Sequence, residues 1–66
     1  MGERMRKARE KQGRRQIDFA IALGKTQPAI HSWETDQAVP RLQEIRRVAR
    51  LYRLPLVSLI PRERAA

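Results

Sequence analysis

Gln16, Ala20, Gly24, Ile30 and Trp33 stand four, four, six and three residues apart, and few folds accommodate all five positions at once. Gln16 to Leu23 reads as a two-turn helix in which Phe19 and Leu23 share one face. Ala20 is small where a second helix has to cross closely. Gly24 falls just past the helix end, where the backbone commonly needs a positive φ that glycine adopts freely. Thr26 is a good N-cap for the next helix, and Pro28 lies in its first turn, where a missing N–H costs nothing. Ile30 and Trp33 then share a buried face, and the helix runs to about Glu34. The spacing predicts two short helices crossing around a tight turn.

The rest of the chain repeats that helical grammar. Met5, Ala8 and Gln12 share a face of a helix over about Glu3–Gln12, closed by Gly13. After a loop over Thr35–Val39 and Pro40, a helix from Arg41 to Tyr52 is expected to bury Leu42, Ile45, Val48, Ala49 and Tyr52, and Leu54 to join the core. Pro55 opens a short fifth helix with Leu56, Leu59 and Ile60, ended by Pro61, and the polar tail 62–66 is expected to fray. At 66 residues the expectation is one small all-α domain over residues 1–66. It sits near the lower limit for folding on an apolar core alone. The sequence has no cysteine and one histidine, which argues against a metal site and leaves no cofactor to expect. No stretch suits a membrane span or a signal peptide, so a soluble cytoplasmic protein is expected.

Charge supplies the functional lead. The net charge is +8, which points to a polyanionic partner, nucleic acid first among them. Residues 1–15 carry seven Lys/Arg against two Glu, a net of +5, and residues 41–66 carry seven Arg against two Glu, again +5. Residues 16–40 carry Lys25 against Asp18, Glu34 and Asp36, a net of −2. A helix-turn-helix unit between two basic arms is the arrangement that sets one helix into the major groove of DNA. Ser32 and Ser58 have no matching His/Asp arrangement and the carboxylates are scattered, so an enzyme is not expected.

These residues resemble the phage repressor and Cro family of helix-turn-helix proteins. The likeness rests on Gln16, Phe19-Ala20, Leu23-Gly24, Thr26-Gln27, Ile30, Trp33-Glu34 and Pro40, followed by Ile45, Val48-Ala49, Tyr52, Leu54, Leu56 and Leu59. It covers roughly residues 4 to 60. The resemblance implies a compact five-helix domain, lambda-repressor-like, with its helix-turn-helix over about residues 16–34. It also implies a regulator that binds double-stranded operator DNA as a homodimer in a bacterial or phage-infected cell. By the same resemblance Gln16 holds a phosphate, Gln27 and Ser32 reach base edges, and Arg9 pairs with Glu34. An amide at position 27 suits adenine, whose N7 and N6 match its donor and acceptor.

Four departures from the pattern shape the expectation. Arg14 and Arg15 replace the usual Ser/Thr cap before Gln16 and become candidate phosphate contacts. Lys25 replaces an apolar residue in the turn and is a third. Pro28 and Ala29 replace polar residues on the base-facing side, where apolar contact with a thymine methyl is the alternative. Thr35-Asp36 replaces Asn-Gly, leaving Asp36 to bear a left-handed turn. His31 reads either as a base or phosphate contact or as plain surface, and Gln27 either as a base reader or as an ordinary first-turn residue. Leu56 and Leu59 are expected inward, with Val57 and Ile60 outward as a dimer seam. The Arg46, Arg47, Arg50 and Arg53 stripe suits DNA, an acidic partner or solvent. A second reading is an antitoxin-like module that binds a protein partner and its own operator. Neither reading calls for a membrane or a small molecule.

Overall fold

A computed structural model describes residues 1–60. Four α-helices follow in chain order, α1 Gly2–Lys11, α2 Gln16–Leu23, α3 Gln27–Glu34 and α4 Leu42–Tyr52, and a 3-10 turn, Leu56–Leu59, comes last. Among the described residues there is no strand, and no helix is long and apolar enough to cross a membrane.

Local chemistry sets the ends of these helices. Gly24 takes φ 68 and closes α2 by donating its N–H to the Ile21 carbonyl at 3.2 Å. A side chain at that φ would be strained. Two residues later the Thr26 hydroxyl accepts the Ala29 N–H at 3.2 Å and starts α3. At the head of α2, Arg15 has no acceptor to offer. The cap is therefore half formed, with Asp18 accepting the Arg15 N–H at 2.9 Å. The head of α1 is satisfied from a distance, since Gly2 donates its N–H to Asp36 Oδ1 at 3.0 Å. Asp36 itself adopts φ 64 in the turn that leaves α3. Gly2 is needed for space: a Cβ there would lie 2.6 Å from the carbonyl carbon of Glu34 and 2.8 Å from the Trp33 oxygen.

The core gathers Met5 from α1, Phe19 and Ala20 from α2, Ile30 and Trp33 from α3, and Ile45, Val48 and Tyr52 from α4. Phe19 and Tyr52 meet edge-to-face at 4.7 Å and 89°, a favoured aromatic geometry. Three sequence expectations are corrected here. The fifth helix is a four-residue 3-10 turn, so the α-helices among the described residues number four. Ile60 precedes a proline, which disfavours the helical region for its backbone, and it lies at φ −82, ψ 124. Leu42 is 75% exposed rather than buried. It has the right angular register, but side chains lean toward the helix N-terminus, and from the first turn of α4 Leu42 leans past the end of the core. The third is Leu56, expected inward but exposed, while Leu59 of the same 3-10 turn is buried as expected and Leu54 is half-buried. Pro61 and the tail 62–66 lie outside the described residues.

A buried carboxylate ties the helices together. Glu34, at the end of α3, receives Arg9 Nε at 2.8 Å and Arg9 Nη2 at 2.9 Å from α1. Tyr52 Oη from α4 donates to it at 2.8 Å, and Gln16 Nε2 from α2 at 3.1 Å. Burial alone would push this carboxyl up, but the hydrogen bonds from Arg9, Gln16 and Tyr52 outweigh it and hold the group below its ordinary 4.5. The unfolded chain thus takes up this proton at a higher pH than the folded one. The stability contributed is complete above about pH 4.5 and is lost as pH falls through the lowered folded value. Tyr52 shifts the opposite way, since burial and the neighbouring Glu34 hold its phenol above the ordinary 10.0. Its share is complete below pH 10.0 and is lost in stronger alkali.

Two outcomes are expected in urea unfolding. Glu34→Gln strands a buried guanidinium and should cost about 3–5 kcal/mol, while Tyr52→Phe removes one charge-assisted bond and should cost about 1.5–3 kcal/mol. The drop in wild-type stability below about pH 4.5 should shrink in Tyr52→Phe. An unchanged acid limb in that variant would separate Glu34 from acid unfolding.

Candidate nucleic-acid interface

At 3.6 residues per turn, Gln27, Pro28, His31 and Ser32 share the side of α3 opposite Ile30 and Trp33. Gln27, Pro28 and His31 are exposed and Ser32 is half-buried. The face they make bears no formal charge, because Glu34 is turned into the core. The helix is held out by the Gly24 turn and by the packing of α2 against it at Ala20. The structure thus brings together on one surface the four residues that the sequence reading puts at base edges.

The residues read as phosphate contacts are distributed differently. Arg14 and Arg15 flank the N-terminus of α2, both exposed. The Arg15 guanidinium rests against Asp18 at 3.4 Å yet its side chain is 79% exposed. The Arg15 N–H and side chain together hold the Asp18 carboxyl below its usual range. Lys25 is drawn away from the turn surface, its ammonium against Glu44 in the first turn of α4. That bond, with the Arg41 N–H behind it, holds the Glu44 carboxyl low as well. Gln16 is half-buried and committed on both sides of its amide.

That amide carries a direction. Ionised Glu34 only accepts, so Gln16 must turn its Nε2 toward it and its Oε1 outward. Gln27 then donates its own Nε2 to Gln16 Oε1 at 2.7 Å. One N–H and the carbonyl oxygen of Gln27 remain free at the surface. A core carboxylate therefore fixes which way the exposed amide points. Around this relay Arg9, Arg15, Ile17 and Gln27 line a shallow groove of about 480 Å³ between the heads of α2 and α3.

Sequence reasoning missed the link from Gln16 to Gln27, and missed Tyr52 as a polar partner of Glu34. A buried tyrosine hydroxyl needs an acceptor, which was the available signal for Tyr52. It missed Ile17 and Ile21 as well, which are 40% and 73% exposed. The signal there was composition. Ile17, Phe19, Ala20, Ile21, Ala22 and Leu23 cover more of α2 than one buried face can hold.

A four-helix unit that exposes the uncharged face of a short helix behind a glycine turn defines a helix-turn-helix protein. The chain belongs to the helix-turn-helix domain family, whose model matches residues 1–60. No curated protein and no solved structure matches it. Membership makes DNA its partner class and places it among domains typical of non-enzymatic regulators.

The relay predicts a graded response at position 16. Gln16→Ala should cost about 1–2 kcal/mol in urea unfolding. Gln16→Glu sets a second carboxylate beside Glu34, so it should cost more at pH 7 and regain part of the difference as it protonates near pH 5. Equal losses for both variants at both pH values would rule out a contact between position 16 and the buried carboxylate.

Proposed function

We propose that the chain is a sequence-specific transcriptional regulator of the repressor and Cro type. In this reading it binds a near-palindromic operator as a homodimer, with α3 in the major groove and half-sites about one helical turn apart. The uncharged α3 face beside a pre-oriented Gln27 carries the reading. Gln27 contacts a base with its free N–H and carbonyl oxygen, a pattern that fits adenine. Pro28 contacts a thymine methyl, and His31 and Ser32 reach the neighbouring base edges. Arg14, Arg15 and the N-terminal amides of α2 beside Gln16 hold phosphate. Lys25 joins them where the phosphate backbone can draw it off Glu44. Arg9 and Glu34 serve as the structural pair. Val57, 69% exposed, and Ile60, 43% exposed, form the dimer seam. The whole chain, 1–66, acts as one such domain in the bacterial cytoplasm.

Selection of bound sequences from random duplex DNA at two salt concentrations tests this. An inverted repeat should emerge, with affinity falling steeply as salt rises. Gln27→Ala should relax the consensus at one position and cost about 1–3 kcal/mol there, whereas Arg15→Ala should weaken every sequence alike and lower the salt slope by about 1. Lys25→Ala should have a smaller effect than Arg15→Ala. Salt-sensitive binding without a consensus would leave only a nonspecific basic binder. Val57→Asp should shift the sedimentation of the free protein to that of a monomer and weaken operator binding. A monomeric wild type at operator-saturating concentration would remove the seam.

A further inference from the structure

Helix α2 has two flanks. Gln16 and Ile17 border the groove shared with α3, whereas Phe19 and Ala22 turn toward α4. On the α4 flank lies a second groove of about 380 Å³, and no α3 residue lines it. Arg14, Arg47, Arg50 and Arg53 surround it, and Ala22 and Leu51 form an apolar floor. No carboxylate is among the described residues that line it. Arg6, Arg9 and Arg15 each have a carboxylate within 4.0 Å. Among the described residues, none of the four arginines at this groove has one.

We propose that this groove docks an acidic segment of a partner protein, with carboxylates on either side of one apolar side chain. Guanidinium groups suit carboxylates because their planar fork donates two parallel bonds. Four cations with no carboxylate partner among the described residues repel each other around one groove, and an acidic ligand relieves that repulsion. The apolar floor accepts the anchor residue between the carboxylates, in the manner of a buried centre with a polar rim. Arg53 adds an independent sign. It adopts φ 58 at the end of α4, a left-handed position that glycine fills with less strain, and it holds a guanidinium at the groove mouth. A duplex seated on α3 and the head of α2 meets the other flank of α2 and shares only Arg14 with this groove, and phosphates have no use for an apolar floor. The proposal stands apart from the DNA reading, which gives Arg47 and Arg50 no role.

Titration of the 66-residue chain with synthetic peptides tests it, read by calorimetry and by amide chemical shifts. One peptide carries Asp and Glu around a single Leu, and its control replaces that Leu by Ser. The Leu peptide should bind and move the amides of Ala22, Arg50 and Leu51. The Ser control, Arg47→Ala and Arg50→Ala should each weaken binding about tenfold, with the helical spectrum of both variants unchanged. Excess random-sequence duplex should leave the peptide bound, weakened by no more than Arg14→Ala weakens it. The proposal is overturned if the Leu peptide does not bind, or binds no better than the Ser control. It is also overturned if the shifts fall on Gln27 and His31, or if duplex displaces the peptide and marks the groove as a phosphate contact. None of these failures touches the operator selection, so the two readings fall separately.

Discussion

The Glu34 carboxylate is the constraint on which the rest of the structure depends. It ends α3, it is fully shielded from water, and it collects donors from α1, α2 and α4. Taking a carboxylate and a guanidinium out of water is expensive, and the two-pronged Arg9 contact offsets that only because Tyr52 and Gln16 occupy the remaining lone pairs. An apolar replacement of similar volume is often no less stable, yet it would accept any rotation of α1 against α3. The carboxylate accepts one. Donors in fixed places on three helices meet it only when all three are in register with α3, so the bond network selects one packing among several that would bury the same apolar area.

That selection extends to the surface through the amides of Gln16 and Gln27. Side-chain amides ordinarily flip at little cost. Here the acceptor-only nature of Glu34 orients Gln16, and Gln16 orients Gln27. The exposed amide is thus ordered before any ligand arrives, and in the proposed reading that order reduces the entropy lost on pairing with a base. The same arrangement separates reading from attraction. The α3 face is uncharged, and the cations assigned to the polyanion in the proposed reading lie on the loop before α2. The net −2 of residues 16–40 is largely consumed within the fold: Asp18 serves the head of α2, Glu34 the core and Asp36 the head of α1.

How much of this was legible depended on the range of the interaction. The bounds of α2 and α3 follow from Gly24, Thr26 and Pro28, whose effects act within four residues, and the sequence places both helices correctly. The buried stripe of α4 is legible from Ile45 onward. Leu42 is not, because its periodicity is right and its exposure depends on where neighbouring helices end. The 3-10 turn was read as a helix because Leu56, Leu59 and Ile60 also suit helical spacing, whereas the space between two prolines allows only one turn. The Arg9–Glu34 pairing entered through family likeness, since nothing local joins residues 25 apart. The Lys25–Glu44 contact and the relay through Gln16 were invisible for a related reason. Each joins side chains whose proximity is created by the crossing of helices, and one sequence carries no trace of such a crossing.

The Lys25–Glu44 contact also changes how the net charge should be counted. A charge of +8 sets the long-range field, but counterion release depends on cations free to meet phosphate. Lys25 stands beside α3 and would be counted first by position, yet it already neutralises Glu44. A phosphate that takes Lys25 must leave Glu44 without its cation, so the gain is the difference between two similar contacts. The pair is partly open to water, with side-chain exposures of 33% and 17%, and a pair so placed holds the turn only weakly. Arg15 is differently placed. Its guanidinium is far more exposed, and its N–H continues to serve Asp18 when the side chain swings away. In the proposed operator complex, affinity near α3 therefore depends less on the number of basic residues than on which of them the fold has left uncommitted. By that measure Arg14 and Arg15 outweigh Lys25, although Lys25 is the nearer in sequence to α3.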